Sequence, residues 1–224
     1  MNKTPTKPMW KRFLLLYLAV LLLTFNLALA VYEDLPSLIP LHWNASGEPD
    51  RWGGRAMVFL HSAVMLAVGA LWMVLPKLSP ARFKVDEFEA TWWYVGMVTV
   101  SCLGYLQCMH LWGAWHPGFD ADRAMLGGIG GFYVLAGNVT GKLRRNFWLG
   151  VRTPWTLSND RVWYATHRFA AKTMVAGGVL ALVVALAGWS RWLALAALAG
   201  GVLVPVVFSL VYYKRLERAG MLEA

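Results

Sequence analysis

Three arginines, three tryptophans and one histidine crowd the stretch 146–170, NFWLGVRTPWTLSNDRVWYATHRFA. Guanidinium groups recognise phosphate, carboxylate or main-chain carbonyls. Indole rings favour the boundary between lipid and water. Acid–base chemistry can be cast from His167 beside Arg168, or from Asp160 near Thr156 and Ser158. No spacing here matches a nucleophile–base arrangement, so the stretch reads as a binding surface and not as a catalytic one. Gly150 permits a tight backbone turn, and Pro154 biases Thr153 toward an extended conformation. Thr156 or Ser158 is expected to cap a following helix. With Ser158 as the cap, Leu157 and Val162 form a hydrophobic staple. Asp160 then sits in the first turn, where a negative charge suits the helix dipole. An interfacial helix is expected to feed into the next apolar segment. Trp148, Trp155 and Trp163 would anchor it at headgroup depth, and Arg152, Arg161 and Arg168 would face lipid phosphates or protein carbonyls.

A second group of chemistry-bearing residues lies in 39–55, IPLHWNASGEPDRWGGR. Asn44, Ser46, Gly47, Pro49, Asp50, Gly53 and Gly54 are turn formers, which predicts a compact, ordered loop. Trp43 and Trp52 would rest at the lipid–water boundary. His42 in this loop, His61, His110 and His116 make four of the five histidines, and all fall near one level of the membrane. Imidazoles on facing helices can hold zinc or copper, with Glu48 or Asp50 assisting. No two of them have the i, i+4 spacing of a strong helical metal pair. A transition metal at this layer is therefore an expectation from level alone, and no other cofactor is implied. Asn44-Ala45-Ser46 also fits the glycosylation triplet, a three-residue pattern common by chance.

The elements that must position these groups are membrane helices. Apolar residues make up 58% of the chain and charged residues only 15%. In lipid the backbone is satisfied only within helices or closed barrels. Apolar runs of about 20 residues point to helices. Six such segments can be drawn, at 13–32, 56–76, 91–115, 124–140, 169–189 and 192–213. The fold class is thus all-α, a polytopic membrane helical bundle of about six transmembrane helices. Basic residues collect at the N-terminus (Lys3, Lys7, Lys11, Arg12), in the second connector (Lys77, Arg82, Lys84), in the fourth (Lys142, Arg144, Arg145, Arg152, Arg161, Arg168) and at the C-terminus (Lys214, Arg215, Arg218). The positive-inside rule then places both termini in the cytoplasm. The net charge of +9 is explained by this banding, and direct nucleic-acid binding is not expected. The lysines before 13–30 mimic a signal peptide, but the apolar part is long for one, and an uncleaved first helix is favoured. Cys102 and Cys108 support neither a disulfide framework nor a zinc motif. Glycines 127, 128, 130 and 131 allow close approach of helix backbones, within the chain or in a homo-oligomer. Gly137, Gly141 and Lys142 miss the phosphate-loop spacing by one residue. Pro205 should kink the sixth helix.

The ordered pattern Asn146-x-Trp148-x-Gly150-x-Arg152-Thr153-Pro154-Trp155-Thr156, followed by Trp163 and Thr166-His167-Arg168, resembles the signature of the SdpI-type immunity protein family of bacterial membrane proteins. The pattern Pro40-x-His42-Trp43-Asn44-x-x-Gly47-x-x-Asp50 is similar to a small uncharacterised domain that often precedes it. The chain divides accordingly into 1–120 and 121–224. The resemblance implies a bacterial multi-pass cell-membrane protein that protects against a membrane-active peptide toxin. In some relatives it also implies recruitment of a cytosolic transcriptional repressor. Asn146, Trp148, Gly150, Arg152, Thr153, Pro154, Trp155, Thr156, Trp163, His167 and Arg168 would form the partner-binding inner surface. Pro40, His42, Trp43, Asn44, Gly47, Asp50 and Trp52 would face the toxin or ligand outside. A transporter or channel subunit is the alternative, weakened by the scarcity of ionisable groups at the helix centres. A metal-dependent membrane enzyme is the second alternative.

Overall fold

Apolar composition leaves the backbone no partner but itself, and the chain folds accordingly into long helices. The structure is a computed structural model that describes residues 8–44, 48–116 and 118–222. Lys3, Lys7, Ser46, Gly47 and the glycosylation triplet beyond Asn44 lie outside the described residues.

α1 (Met9–Val31), α2 (Leu60–Val74) and α3 (Glu89–Trp115) pack together as one group. α4 (Ala121–Thr140), α6 (Asp160–Ala187) and α7 (Arg191–Arg218) form a second, and α3 against α4 joins the two. A one-turn helix, α5 (Pro154–Ser158), precedes α6. Among the described residues five segments are long and apolar enough to cross a membrane: Met9–Asp34, Arg55–Leu78, Ala81–Trp115, Asp160–Ala187 and Arg191–Arg218. The protein is a multi-pass membrane protein. α4, with 20 residues, is not among these five. The loop at 39–55 is more ordered than turn formers alone require. It is an antiparallel hairpin of β1 (Leu38–Trp43) and β2 (Pro49–Gly54), with register shifts between Pro40 and His42 and between His42 and Trp43.

The two ends of the bundle have separate cores. At the hairpin end Ala28, Leu35, Ile39, Val58, Leu111 and Ala114 pack together. At the other end Phe13, Tyr17, Trp92 and Trp93 of the first group pack with Leu143 and Trp163 of the second.

Glycine sets the spacing of α4, α6 and α7. A Cβ at Gly130 would press on the Gly178 carbonyl, and one at Gly178 on the Gly130 carbonyl. Gly137 meets Met174 and Val175 in the same way. The close approach read from the glycine run is thus used inside the chain, between α4 and α6. Pro205 lies within α7 and has no N–H for the carbonyl of Gly201. The Thr173 hydroxyl of α6 donates to that carbonyl at 2.9 Å. An orphan acceptor in lipid costs several kcal/mol, roughly, and here a neighbouring helix satisfies it.

Candidate functional site

The loop between α4 and α6 is built around Asn146, which is fully buried. Its Oδ1 accepts from the backbone N–H of Trp148 at 2.8 Å and of Leu149 at 2.7 Å. Its Nδ2 donates to the carbonyls of Arg144 at 2.9 Å and Leu149 at 3.1 Å. One side chain therefore fixes a whole turn. The chain then enters the left-handed region at Gly150, φ 101°. A Cβ there would run into Nε2 of His167. That nitrogen instead accepts the N–H of Val151 at 3.0 Å, while Nδ1–H donates to the Trp163 carbonyl at 2.8 Å. These partners fix a neutral imidazole with its proton on Nδ1. His167 is buried and fully bonded, as a structural strut would be.

Thr153 and Thr156 form a capping box on α5, and the Thr156 hydroxyl also donates to the Val151 carbonyl at 2.8 Å. Thr156 thus sits at the third position of the box, and Ser158 is exposed and donates to the Trp155 carbonyl. The cap of α6 is Asn159, whose side chain accepts from Val162 N–H. The cap is therefore Asn159 and not Thr156 or Ser158, because Thr156 is used in the box on α5 and α6 begins at Asp160. Asp160 does open α6, and it pairs with Arg145 at 3.0 Å. α6 is one continuous helix, so the expected interfacial helix is its first turns.

The tryptophans have inward roles. Trp163 is fully buried, stacks on His167 and donates to the Leu143 carbonyl at 2.8 Å. Trp148 donates to Ser79 at 2.7 Å, in the connector between α2 and α3. Trp155 donates to Ser209 of α7. Trp148 ties the loop to the first helix group, and Trp155 and Trp163 tie it to the second. Arg152 donates to the Phe147 carbonyl, one of the two partners expected of it, and its side chain is exposed. Pro154 and Arg168 are exposed as well.

Above this loop lies a cavity of about 440 Å³. Residues 149–153 floor it, Phe132 and Ala136 of α4 and Met174 of α6 back it, and Val95 of α3 and Val202 of α7 complete the lining. Its volume falls in the range of small-ligand sites, roughly 300–1,000 Å³.

At the opposite end His110 donates from Nε2 to the Pro40 carbonyl at 2.7 Å. Its Nδ1 is 3.3 Å from Nδ1 of His61, so His61 donates to it. Trp43 packs edge-on against His110. His42 bonds Asp50 across the hairpin at 2.6 Å, and His116 stacks on Trp112. Two of the four histidines are thus brought together and two are not. Among the described residues no group of three or more His, Cys, Asp and Glu is placed to hold a metal ion. Asn44 closes the hairpin, exchanging bonds with Glu48, and Trp52 is exposed.

Residues 142–212 match the SdpI/YfhL protein family, and residues 19–67 match a domain of unknown function, DUF1648. The chain is 26% identical over 164 residues to the Immunity protein SdpI of Bacillus subtilis, covering 73% of this chain and 77% of that relative. It is also 32% identical over 77 residues to an uncharacterized protein of Archaeoglobus fulgidus, 34% of this chain and 42% of that one. No solved structure matches the chain significantly. The SdpI/YfhL region holds the whole signature loop, α5, α6 and most of α7. The DUF1648 region holds most of α1, the hairpin and the start of α2.

Two sets of residues escaped sequence reading. Gln107, fully buried, bonds Ser62 and the Thr24 carbonyl and so ties α1, α2 and α3 together. A lone polar residue in an apolar run was its only signal. The cavity walls gave none, because Ala136, Met174 and Val202 look like any lipid-facing residues until their helices are placed.

Proposed function

We propose that this chain is an immunity-type membrane protein that protects its host membrane from a membrane-active peptide. Likeness to the Immunity protein SdpI over most of both chains is the observation that carries this reading. The hairpin end faces outward and meets the peptide. The signature end faces the cytoplasm, with exposed Lys142, Arg144, Arg152, Arg161 and Arg168 above a rigid loop. The banding of basic residues supports this orientation. A cytosolic transcriptional repressor docks on that cationic face. The buried signature residues hold the face in shape, and the exposed arginines make the contacts.

The test is expression in a host sensitive to secreted membrane-active peptides. Survival should exceed that of the empty vector, and Trp52→Ala should reduce protection without loss of protein from the membrane. Survival equal to the vector across several peptides would end the reading. Pull-down from mild detergent should recover a cytosolic protein that Arg161→Gln with Arg168→Gln releases.

A further inference from the structure

We infer that the cavity above the signature loop binds one acyl chain of an anionic phospholipid from the adjacent leaflet. This goes beyond protection against a peptide and does not depend on it. The cavity has walls of four helices and a floor of loop, yet α3 and α7 do not pack substantially on each other. Val202, in the middle of α7 and lining the cavity, is 39% exposed, which places the opening on the flank of the bundle and not at its end. A sideways opening in a membrane-spanning bundle meets lipid.

Depth and charge argue for the occupant. The α4 wall runs from Phe132 to Thr140, about 12 Å of helix. One leaflet of hydrocarbon is about 15 Å thick, half of the bilayer core. The lining is apolar apart from Thr140, Thr153 and Arg152, and contains no acidic residue. Arg152 stands at the floor, at the level where a headgroup would lie. Its guanidinium has five donors, and the Phe147 carbonyl uses one side of it. A phosphate beside Arg152 with a chain rising between α3 and α7 satisfies both halves of the site. A zwitterionic lipid offers the same chain with its phosphate charge offset.

Native mass spectrometry of the purified protein, with equal phosphatidylglycerol and phosphatidylcholine in the detergent, tests this. One phosphatidylglycerol should be retained preferentially. Arg152→Gln should weaken its retention about fivefold, toward that of phosphatidylcholine. Arg152→Lys should keep the preference, separating lost charge from a disturbed loop. Val202→Trp should fill the mouth and abolish retention of both lipids. Val179→Trp adds the same bulk at a position of α6 that is exposed and outside the cavity, and should leave retention unchanged. Equal retention of the two lipids by the parent protein would overturn the inference. So would undiminished retention in Val202→Trp, equal loss in Val179→Trp, or lipid displaced from the site by a hydrophobic peptide in preference to phosphatidylglycerol.

Discussion

Gly150 has two independent reasons to be glycine. Its φ of 101° is a region L side chains rarely enter, and His167 occupies the space a Cβ needs. Gly150→Ala should cost about 2 kcal/mol or more, measured by unfolding in mixed detergent with SDS. His167→Ala in that background should recover part of the loss, since it removes the collision and leaves the strained backbone. Asn146→Asp is nearly the same size but loses both N–H donors. It should cost about 1–3 kcal/mol by the same measurement, because two buried carbonyls lose their partner. The sequence made Gly150 and Asp160 legible, since a turn and a helix dipole act locally. It did not make Trp163, Trp148 or Trp155 legible. Their partners are Leu143, Ser79 and Ser209, and the latter two come from distant parts of the chain. An indole at an interface and an indole in a core have the same local sequence.

Elements were legible where composition alone decides them. Apolar runs located the long helices, and the glycines of α4 marked a close approach. The hairpin was legible only as a compact loop. Its strands contain Pro40, Pro49 and glycines, which depress strand propensity and suit only a two-stranded unit with free edges. The pairing of α6 with α7 carries its own test. Thr173→Val removes the donor to the Gly201 carbonyl and should cost about 1–2 kcal/mol. Pro205→Ala restores an N–H four residues along. In that background Thr173→Val should cost close to nothing. Equal costs in both backgrounds would show that the hydroxyl serves another purpose.

For the whole molecule, the alternating bands of charge predict which end faces the cytoplasm. With Cys102 and Cys108 replaced, a membrane-impermeant maleimide applied to intact cells should label Trp52→Cys and spare Arg152→Cys. Labelling of both only after permeabilisation would place the hairpin inside and remove the proposed meeting point with a peptide. The two helix groups share one core, in which Phe13 and Trp92 of the first meet Leu143 and Trp163 of the second. Trp148 reaches across to Ser79 at the same place. Made separately, each helix group would carry an open aromatic seam into the bilayer, so neither is expected to mature alone. Cut in the connector between α3 and α4, the two fragments should be degraded when produced singly and survive as a non-covalent pair when produced together.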